Sequence, residues 1–476
     1  MPTSHVNTKI AFDKKMHDWD GFGFNYVQLS QTFDYDKYPQ EYGGFSIISE
    51  QKRAEILDLV FGPEGLKPGL MKIFFDPFHQ REENLNKPGV GNLDQGNYDH
   101  EKTTQWVRYF AREGLRLSRE QGRDMRMIAC LYGMPGWMTL QKEVRGRDID
   151  PQYKEELAKY MASYVKYLKE QDKLPVRYIS VHNEGEDYTR WPEDGSALDT
   201  GLGCDYNAYW TPGFVCEFVD LLNQVLLANG LEDVKPTPGE TSNWTRFYNF
   251  GYAHAIADDE KALAAIGLIT SHGFSGGASG ETWQGDHRSA GVDVIREKRP
   301  ALHSWVTSTS WSKMDAKFVA EIHGNIYSAK NNGIIPWAGV QRPAHWKGGD
   351  PNPGNAIQID ENGNYEVRNG YYYYKQVCPV GQPGMYVART SSTDNQTCAI
   401  AFAANGTANP NAFVLVNSGH GVRRFDLTVS GTASGHFSAY RTSGIEKCEP
   451  IADIVIEDTH AVYYAPPNSV TTFVEK

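Results

Sequence analysis

The sequence lacks long hydrophobic runs. No apolar stretch in its 476 residues approaches the roughly 18 residues of a membrane-spanning helix, so we expect no membrane partner. The N-terminal stretch MPTSHVNTKIAFDKK also lacks the apolar core of a signal peptide. We therefore expect either a cytoplasmic protein or a secreted chain from which a signal has been removed.

The chain is also short of positive charge and of closely spaced cysteines. Lys and Arg number 47 against 59 Asp and Glu, which gives a net charge of −12. Because a nucleic-acid partner requires a basic face, we expect none. The six cysteines include no CxxC pair, so we expect no zinc knuckle. Cys378 and Cys398 are candidates for a disulfide, and nothing in the sequence indicates an oligomeric state.

Aromatic side chains are abundant. They make up 12% of the chain, with 27 Tyr and 11 Trp. Aromatic rings of this number favour flat platforms in sugar-binding clefts only weakly, because a large hydrophobic core with aromatic loops explains them as well. Composition alone leaves both interpretations open.

The order of apolar runs predicts two domains. From residue 14 to 365, short strand-like runs alternate with helical stretches, and the strand-like runs are WDGFGFNY, GLMKIFFDPF, RMIACLYGMPGWM, RYISVHNEGED, VKPTPGETSNW, IGLITSHGF, ALHSWVTSTSW and GIIPWAGVQ. Eight such units predict a (β/α)8 TIM barrel. From 366 to 476 we expect no helices, and short alternating strands between Gly, Asn and Pro turns predict an appended antiparallel β-sandwich.

Polar or aromatic residues stand where the predicted barrel strands end. These are Asp76, Trp137, Asn183, Glu184, Glu240, His272, Ser308 and Trp337. Active sites of TIM barrels lie at the carboxyl ends of the strands, so these side chains should converge on one rim. The clearest signal is SVHNEGED, where an apolar strand ends in a carboxylate that could act as a general acid.

The ordered motifs DGFGFN, GMPGWM, NE, PGETSNW, TSHGF and WVTSTSW resemble those of clan A retaining glycoside hydrolases, most closely family 30. The resemblance covers essentially the whole chain and implies that residues 1–13 join the β-sandwich. It implies an acid/base at Glu184 and a nucleophilic carboxylate at the end of the seventh strand, where Ser308 stands. Gly185 departs from the proline that many clan members have, which leaves the substrate open.

The resemblance also implies roles for the remaining strand-end residues toward a carbohydrate. Asn183 would bind the hydroxyl next to the anomeric carbon. The sugar faces would stack on Trp137, Trp311 and Trp337. Hydrogen bonds to the sugar at the cleavage point would come from Asp76, Glu240 and His272.

A retaining enzyme needs two carboxyls about 5–5.5 Å apart. Of the two positions where they are expected, only 184 carries a carboxylate. Glu240 could pair with it in an inverting enzyme, where the spacing is roughly 6.5–9.5 Å. We expect Glu321, in the helix after the seventh strand, to be an ordinary solvated or salt-bridged Glu. Glu186 and Asp187 are loop carboxylates that compete with Glu184. A nucleophilic Ser308 would need activation by an adjacent base, for which His272 is the candidate.

We favour the interpretation that serine replaces glutamate at 308. The chain would then be a retaining O-glycosidase scaffold for β-linked glycans or glycosides, in an inactivated or glycosynthase-type form. This interpretation implies no metal and no organic cofactor. The alternatives are a non-catalytic carbohydrate-binding pseudoenzyme and an inverting hydrolase that uses Glu184 and Glu240.

Overall fold

The prediction of a barrel with an appended β-domain is confirmed. The computed structural model describes residues 4–28, 41–80, 88–93, 98–144, 146–186, 207–274, 287–311, 313–342 and 354–476. Each of the eight predicted barrel strands overlaps an observed one. In chain order the strands are β1 (Ser4–Asp18), β2 (Gly21–Asn25), β3 (Leu70–Phe75), β4 (Arg126–Leu131), β5 (Val176–Ser180), β6 (Lys235–Thr237), β7 (Ile269–Ser271), β8 (Ser304–Val306), β9 (Gly333–Ile334), β10 (Val340–Gln341), β11 (Ile357–Ile359), β12 (Tyr365–Val367), β13 (Tyr386–Ser392), β14 (Thr397–Ala403), β15 (Ala412–Asn417), β16 (Arg423–Ser430), β17 (His436–Thr442), β18 (Glu449–Val455), β19 (His460–Ala465) and β20 (Ser469–Glu475).

Helices follow most barrel strands and begin at side chains that cap them. They are α1 (Glu50–Phe61), α2 (His100–Glu120), α3 (Lys154–Glu170), α4 (Pro212–Ala228), α5 (Trp244–Asn249), α6 (Tyr252–Asp258), α7 (Glu260–Ala265), α8 (Ala290–Lys298), α9 (Ala316–Tyr327) and α10 (Asn369–Lys375). Capping side chains that accept a backbone N–H of the first turn include Ser49, Asp99, Thr211, Asn243, Asp259 and Asp315. Each cap satisfies an N–H group that has no partner inside the helix.

The barrel strands are parallel and follow the order β6-β5-β4-β3-β2-β9-β8-β7. Backbone hydrogen bonds close the ring between β6 and β7, from Gly267 N to Pro236 O (3.0 Å) and from His272 N to Thr241 O (2.9 Å). The carboxyl ends of all the barrel strands therefore lie at the same end of the barrel, which we call the mouth. The opposite end is filled by an apolar layer made of Leu70, Ile128, Leu268, Trp305 and Ile335.

A buried acid holds that lower layer in place. Trp305 Nε1 donates to Asp20 Oδ2 (2.7 Å), and Arg126 pairs with Asp20 Oδ1 (2.7 Å). The indole of Trp305 therefore fills the N-terminal end of the barrel, so the barrel is open to a ligand at the mouth and not at this end.

The β-domain is one nine-stranded sheet in the order β18-β17-β20-β15-β14-β13-β1-β16-β19. Its pairs are antiparallel except β1 with β16, which run parallel. The N-terminal strand β1 lies between β13 and β16 and continues to Asp18. Helix α9 packs against this sheet, where Tyr327 donates its hydroxyl to Ala388 O (2.8 Å).

Two expectations for the C-terminal region are wrong. The expected absence of helices beyond residue 366 fails at α10, whose tyrosines Tyr371 and Tyr374 are buried against the barrel core. Tyr favours strands, so the run of tyrosines gave no helix signal, and packing against the barrel core selects the helix. Cys378 and Cys398 form no disulfide; both are buried free thiols. No helix within the described residues is long and apolar enough to cross a membrane.

Candidate active site at the barrel mouth

Two neighbouring strand ends bring Glu184 and Glu240 together. Beyond β5 and β6 the chains stay paired through a parallel bridge between Asn183 and Glu240. Glu184 N donates to Glu240 O (2.6 Å), and Glu240 N donates to His182 O (2.9 Å). This pairing extends past the regular strands and fixes the backbone from which both carboxylates project.

Glu184 is held in an uncommon backbone conformation. Its φ of +44° lies in the left-handed region, which costs a residue with a side chain of the order of 1–3 kcal/mol. Gly185 is required directly after it, because a Cβ there would lie 2.8 Å from Trp210 Cδ1 and 3.0 Å from Ala208 O. The departure from proline at 185 therefore has a steric reason in this chain.

His272 joins the two carboxylates. Its Nδ1 lies 3.2 Å from Glu184 Oε1 and its Nε2 lies 3.0 Å from Glu240 Oε2. All three side chains are buried, with Glu184 6% exposed and Glu240 0% exposed. Burial alone would lower the pKa of His272, but its hydrogen bonds to Glu184 and Glu240 raise that pKa above 6.5.

Lys72 stands behind Glu240 and was not recognised from the sequence. It lies on β3, is 0% exposed, and its Nζ reaches Glu240 Oε2 (2.5 Å) and Thr307 O (3.1 Å). Burial alone would raise the pKa of Glu240, but Lys72 and His272 lower it to about 2. The signal that could have found Lys72 is the single charge inside the apolar run LMKIFF.

Ser308 lies beyond β8 on the side of the mouth that faces β7. Its carbonyl accepts Gly273 N (2.8 Å), and the next carbonyl, of Thr309, accepts Trp337 N (2.8 Å). The hydroxyls of Ser308 and Thr309 are buried and have no hydrogen-bond partner among the described residues. Because both nitrogens of His272 face carboxylates, no Ser308–His272 pair forms.

Other polar atoms around the mouth are buried without a protein partner. Within the described ranges they include Asn183 Oδ1, Glu186 Oε2, Glu240 Oε1 and Ser242 Oγ. Buried polar atoms in native proteins are nearly always hydrogen-bonded, so such a group indicates a place for water or a polar ligand. These atoms come from the ends of β5 and β6.

The tryptophans expected on sugar faces take different places. Trp137 is partly exposed and donates its Nε1 to Gln80 O (3.0 Å). Trp337 is 6% exposed and stacks on Tyr132 with ring centroids 5.9 Å apart. Trp311 is 0% exposed and packs between Phe318 and Tyr374, so it has no face open to a ligand.

The remaining acids do not join the Glu184 cluster. Asp76 Oδ1 accepts Phe78 N (2.9 Å) in its own turn. Glu186 accepts Ser242 N (2.8 Å) and pairs with buried Arg246 (3.2 Å). Glu321 lies on α9 in an ion pair with Lys313, as expected for a salt-bridged Glu. Asp187 lies outside the described residues, which contain no group of three or more His, Cys, Asp or Glu able to hold a metal.

Glycoside hydrolases of solved structure share this fold. A GH30 endoxylanase from Clostridium papyrosolvens aligns over 99% of this chain and 100% of its own, with a TM-score of 0.67 and 15% identity. The GH30 xylanase C catalytic domain from Talaromyces cellulolyticus covers 99% and 100%, with a TM-score of 0.69 and 14% identity. The endo-β1,6-glucanase BT3312 aligns over 99% of this chain and 94% of its own, with a TM-score of 0.66 and 16% identity. No protein-family model and no curated protein matches the sequence. The GH30-like fold inferred from the sequence motifs is confirmed, and identity at this level shows the fold alone.

Proposed function

We propose that the chain binds a β-linked glycan or glycoside at the barrel mouth and uses Glu184 as general acid and base. The observation that carries this proposal is the position of Glu184 at the end of β5, in a left-handed backbone conformation and bound to His272. Strained backbone at the carboxyl end of a barrel strand is typical of catalytic positions. The glycosidase-type fold supports a carbohydrate as the ligand.

In this proposal Ser308 occupies the place of the second carboxylate. Double displacement requires a nucleophile that forms a glycosyl-enzyme, and a serine hydroxyl without a base cannot supply it. The unpartnered hydroxyl of Ser308 and the full engagement of His272 support this role. The chain as it stands would therefore bind substrate and form no covalent intermediate.

The inverting alternative, which pairs Glu184 with Glu240, has less support. An inverting base must take a proton from water, whereas Glu240 is 0% exposed and its contacts with Lys72 and His272 lower its pKa to about 2, which makes it a weak base. We therefore assign Glu240 to the support of the site and not to contact with water at the anomeric carbon. We propose direct sugar contact for Asp76, Asn183, Trp137 and Trp337. We do not propose it for Trp311.

The test is Ser308→Glu assayed on a panel of aryl β-glycosides, with Thr309→Glu as the matched control. Thr309 is the next residue and equally buried, so its variant adds the same charge one position away. We expect hydrolysis to appear in Ser308→Glu by at least about 10³-fold over the unaltered chain, and not in Thr309→Glu.

A second arm does not depend on packing the larger side chain. Formate or azide added to the unaltered chain should restore cleavage of activated aryl β-glycosides, because a small anion can replace the missing carboxylate. Retained sugar binding with no cleavage in either arm would identify a pseudoenzyme. Full hydrolysis by the unaltered chain without an added anion would contradict the proposal.

A further inference from the structure

The geometry around His272 limits where protons can lie. Each ring nitrogen faces a carboxylate oxygen, Nδ1 toward Glu184 and Nε2 toward Glu240. A neutral imidazole has one N–H donor and one lone pair, so it can donate to only one of the two. If both carboxylates were ionised beside a neutral ring, a lone pair would face a negative oxygen in a buried site. The arrangement therefore needs one more proton.

Lys72 decides which side of the ring receives that proton. Its ammonium binds the same oxygen of Glu240 that His272 Nε2 faces, and Lys72 and Glu240 are both 0% exposed. This contact holds Glu240 as a carboxylate, so Nε2 carries a hydrogen and donates it. The extra proton then lies between His272 Nδ1 and Glu184 Oε1, across 3.2 Å.

The charges balance in either position of that proton. With the proton on the ring, Lys72 and His272 are positive and the two carboxylates are negative. With the proton on Glu184, only Lys72 and Glu240 are charged. Both states are neutral as a whole, which suits a cluster away from water.

Among the described residues, His182 and Cys130 also interact with the cluster and leave this balance unchanged. Burial lowers the pKa of His182, at the end of β5, to about 3, and it raises that of the Cys130 thiol on β4 well above its usual range. Both groups are therefore uncharged between about pH 4 and 9.

We propose that Glu184 and His272 share a single proton, and that Lys72 and Glu240 are positioning residues that set how tightly this pair holds it. The consequence for catalysis rests on the proposed function, because an acid/base carboxyl must release a proton and take it back in each cycle. His272 would hold the proton next to Glu184 in the step in which Glu184 acts as a base. The sharing itself does not depend on turnover.

Opposite shifts in two variants test the proposal. Lys72→Met removes a positive charge and should raise the pH at which the pair loses its proton, by about 1–3 units. Glu240→Gln removes a negative charge and should lower it by a similar amount. The double variant Lys72→Met/Glu240→Gln removes both charges and should return close to the unaltered value. A purely structural role would move both single variants in the same direction or leave them unchanged.

The readout is the ring nitrogen shift of His272 in protein labelled with 15N-histidine, titrated by NMR. His272→Gln identifies the signal among the 14 histidines. Arg108→Met is the control, because it breaks another buried ion pair, with Asp172 at 2.8 Å, outside this cluster. It should leave the His272 titration unchanged.

The unaltered protein gives a second measurement that needs no variant. We expect Nε2 to be protonated and Nδ1 to show a shift between the protonated and bare values. A ring with a proton on Nδ1 alone, or single variants that shift the same way, would overturn the inference. If these NMR shifts appear and Ser308→Glu shows no hydrolysis, the proton sharing stands and the proposed function fails.

Discussion

The ion pair between Lys72 and Glu240 should make a large contribution to stability. Glu240→Gln removes the carboxylate charge and leaves the fully buried Lys72 ammonium without its charged partner. Breaking a buried pair in this way costs about 3–5 kcal/mol. The pKa of Glu240, about 2 against 4.5 for a free carboxyl, gives a similar value of about 3 kcal/mol at neutral pH.

The pH dependence of unfolding provides an independent check. A carboxyl whose pKa is lowered by folding stabilises the native state above about pH 4.5, and it loses this contribution as the pH falls toward 2. Urea unfolding curves of the unaltered chain should therefore show a loss of about 3 kcal/mol over this window that Glu240→Gln does not show.

Glu120→Gln is the matched control for this prediction. Glu120 makes an ion pair with Arg116 on α2, where both side chains are more than half exposed, so its loss should cost less than about 1 kcal/mol. If Glu240→Gln costs no more than Glu120→Gln at pH 7, the buried cluster does not carry the charges assigned to it.

Three further predictions concern single positions. In the Ser308→Glu background, Glu184→Gln should reduce kcat/KM about 10²–10⁴-fold for poor leaving groups and less for activated ones, and an equal loss for both would contradict an acid role. Trp311→Ala should cost about 3–5 kcal/mol in urea unfolding and leave sugar affinity by calorimetry unchanged in folded protein, whereas a selective loss of affinity would return Trp311 to the site. Gly185→Ala should lower stability by about 1–3 kcal/mol, because its Cβ would meet Trp210, and a neutral result would mean that the loop has room.

The barrel was predictable because its signal is repeated. Strand-like runs that alternate with helical ones specify eight βα units, and each of the runs overlaps the observed strand, from β2 to β9. Helix α10 was not predictable, because its Tyr-rich sequence is decided by packing against the barrel and not by periodicity. The disulfide between Cys378 and Cys398 was not predictable either, because nearness along the chain does not set the distance between two thiols.

The site was predictable at the level of strand ends, and less so at the level of contacts. The sequence places Glu184, Glu240 and His272 at adjacent strand ends, and the structure joins them into one hydrogen-bonded group. The sequence does not reveal that Glu240 contacts Lys72 inside the barrel, because a side chain at a strand end can point into the barrel or toward the mouth. For Trp311, a position after β8 was compatible with the rim and with the core, and tertiary packing selected the core.

The role of position 308 can be tested most directly by trapping the covalent intermediate. Ser308→Glu is incubated with a 2-deoxy-2-fluoro β-glycoside carrying an activated leaving group, and intact and peptide mass spectrometry then locates the sugar. We predict one sugar per chain, attached at position 308, and none on the unaltered chain. A sugar attached to Glu240 or Glu184, or hydrolysis by Ser308→Glu without any trapped adduct, would contradict the assignment of 308 as the place of the nucleophile.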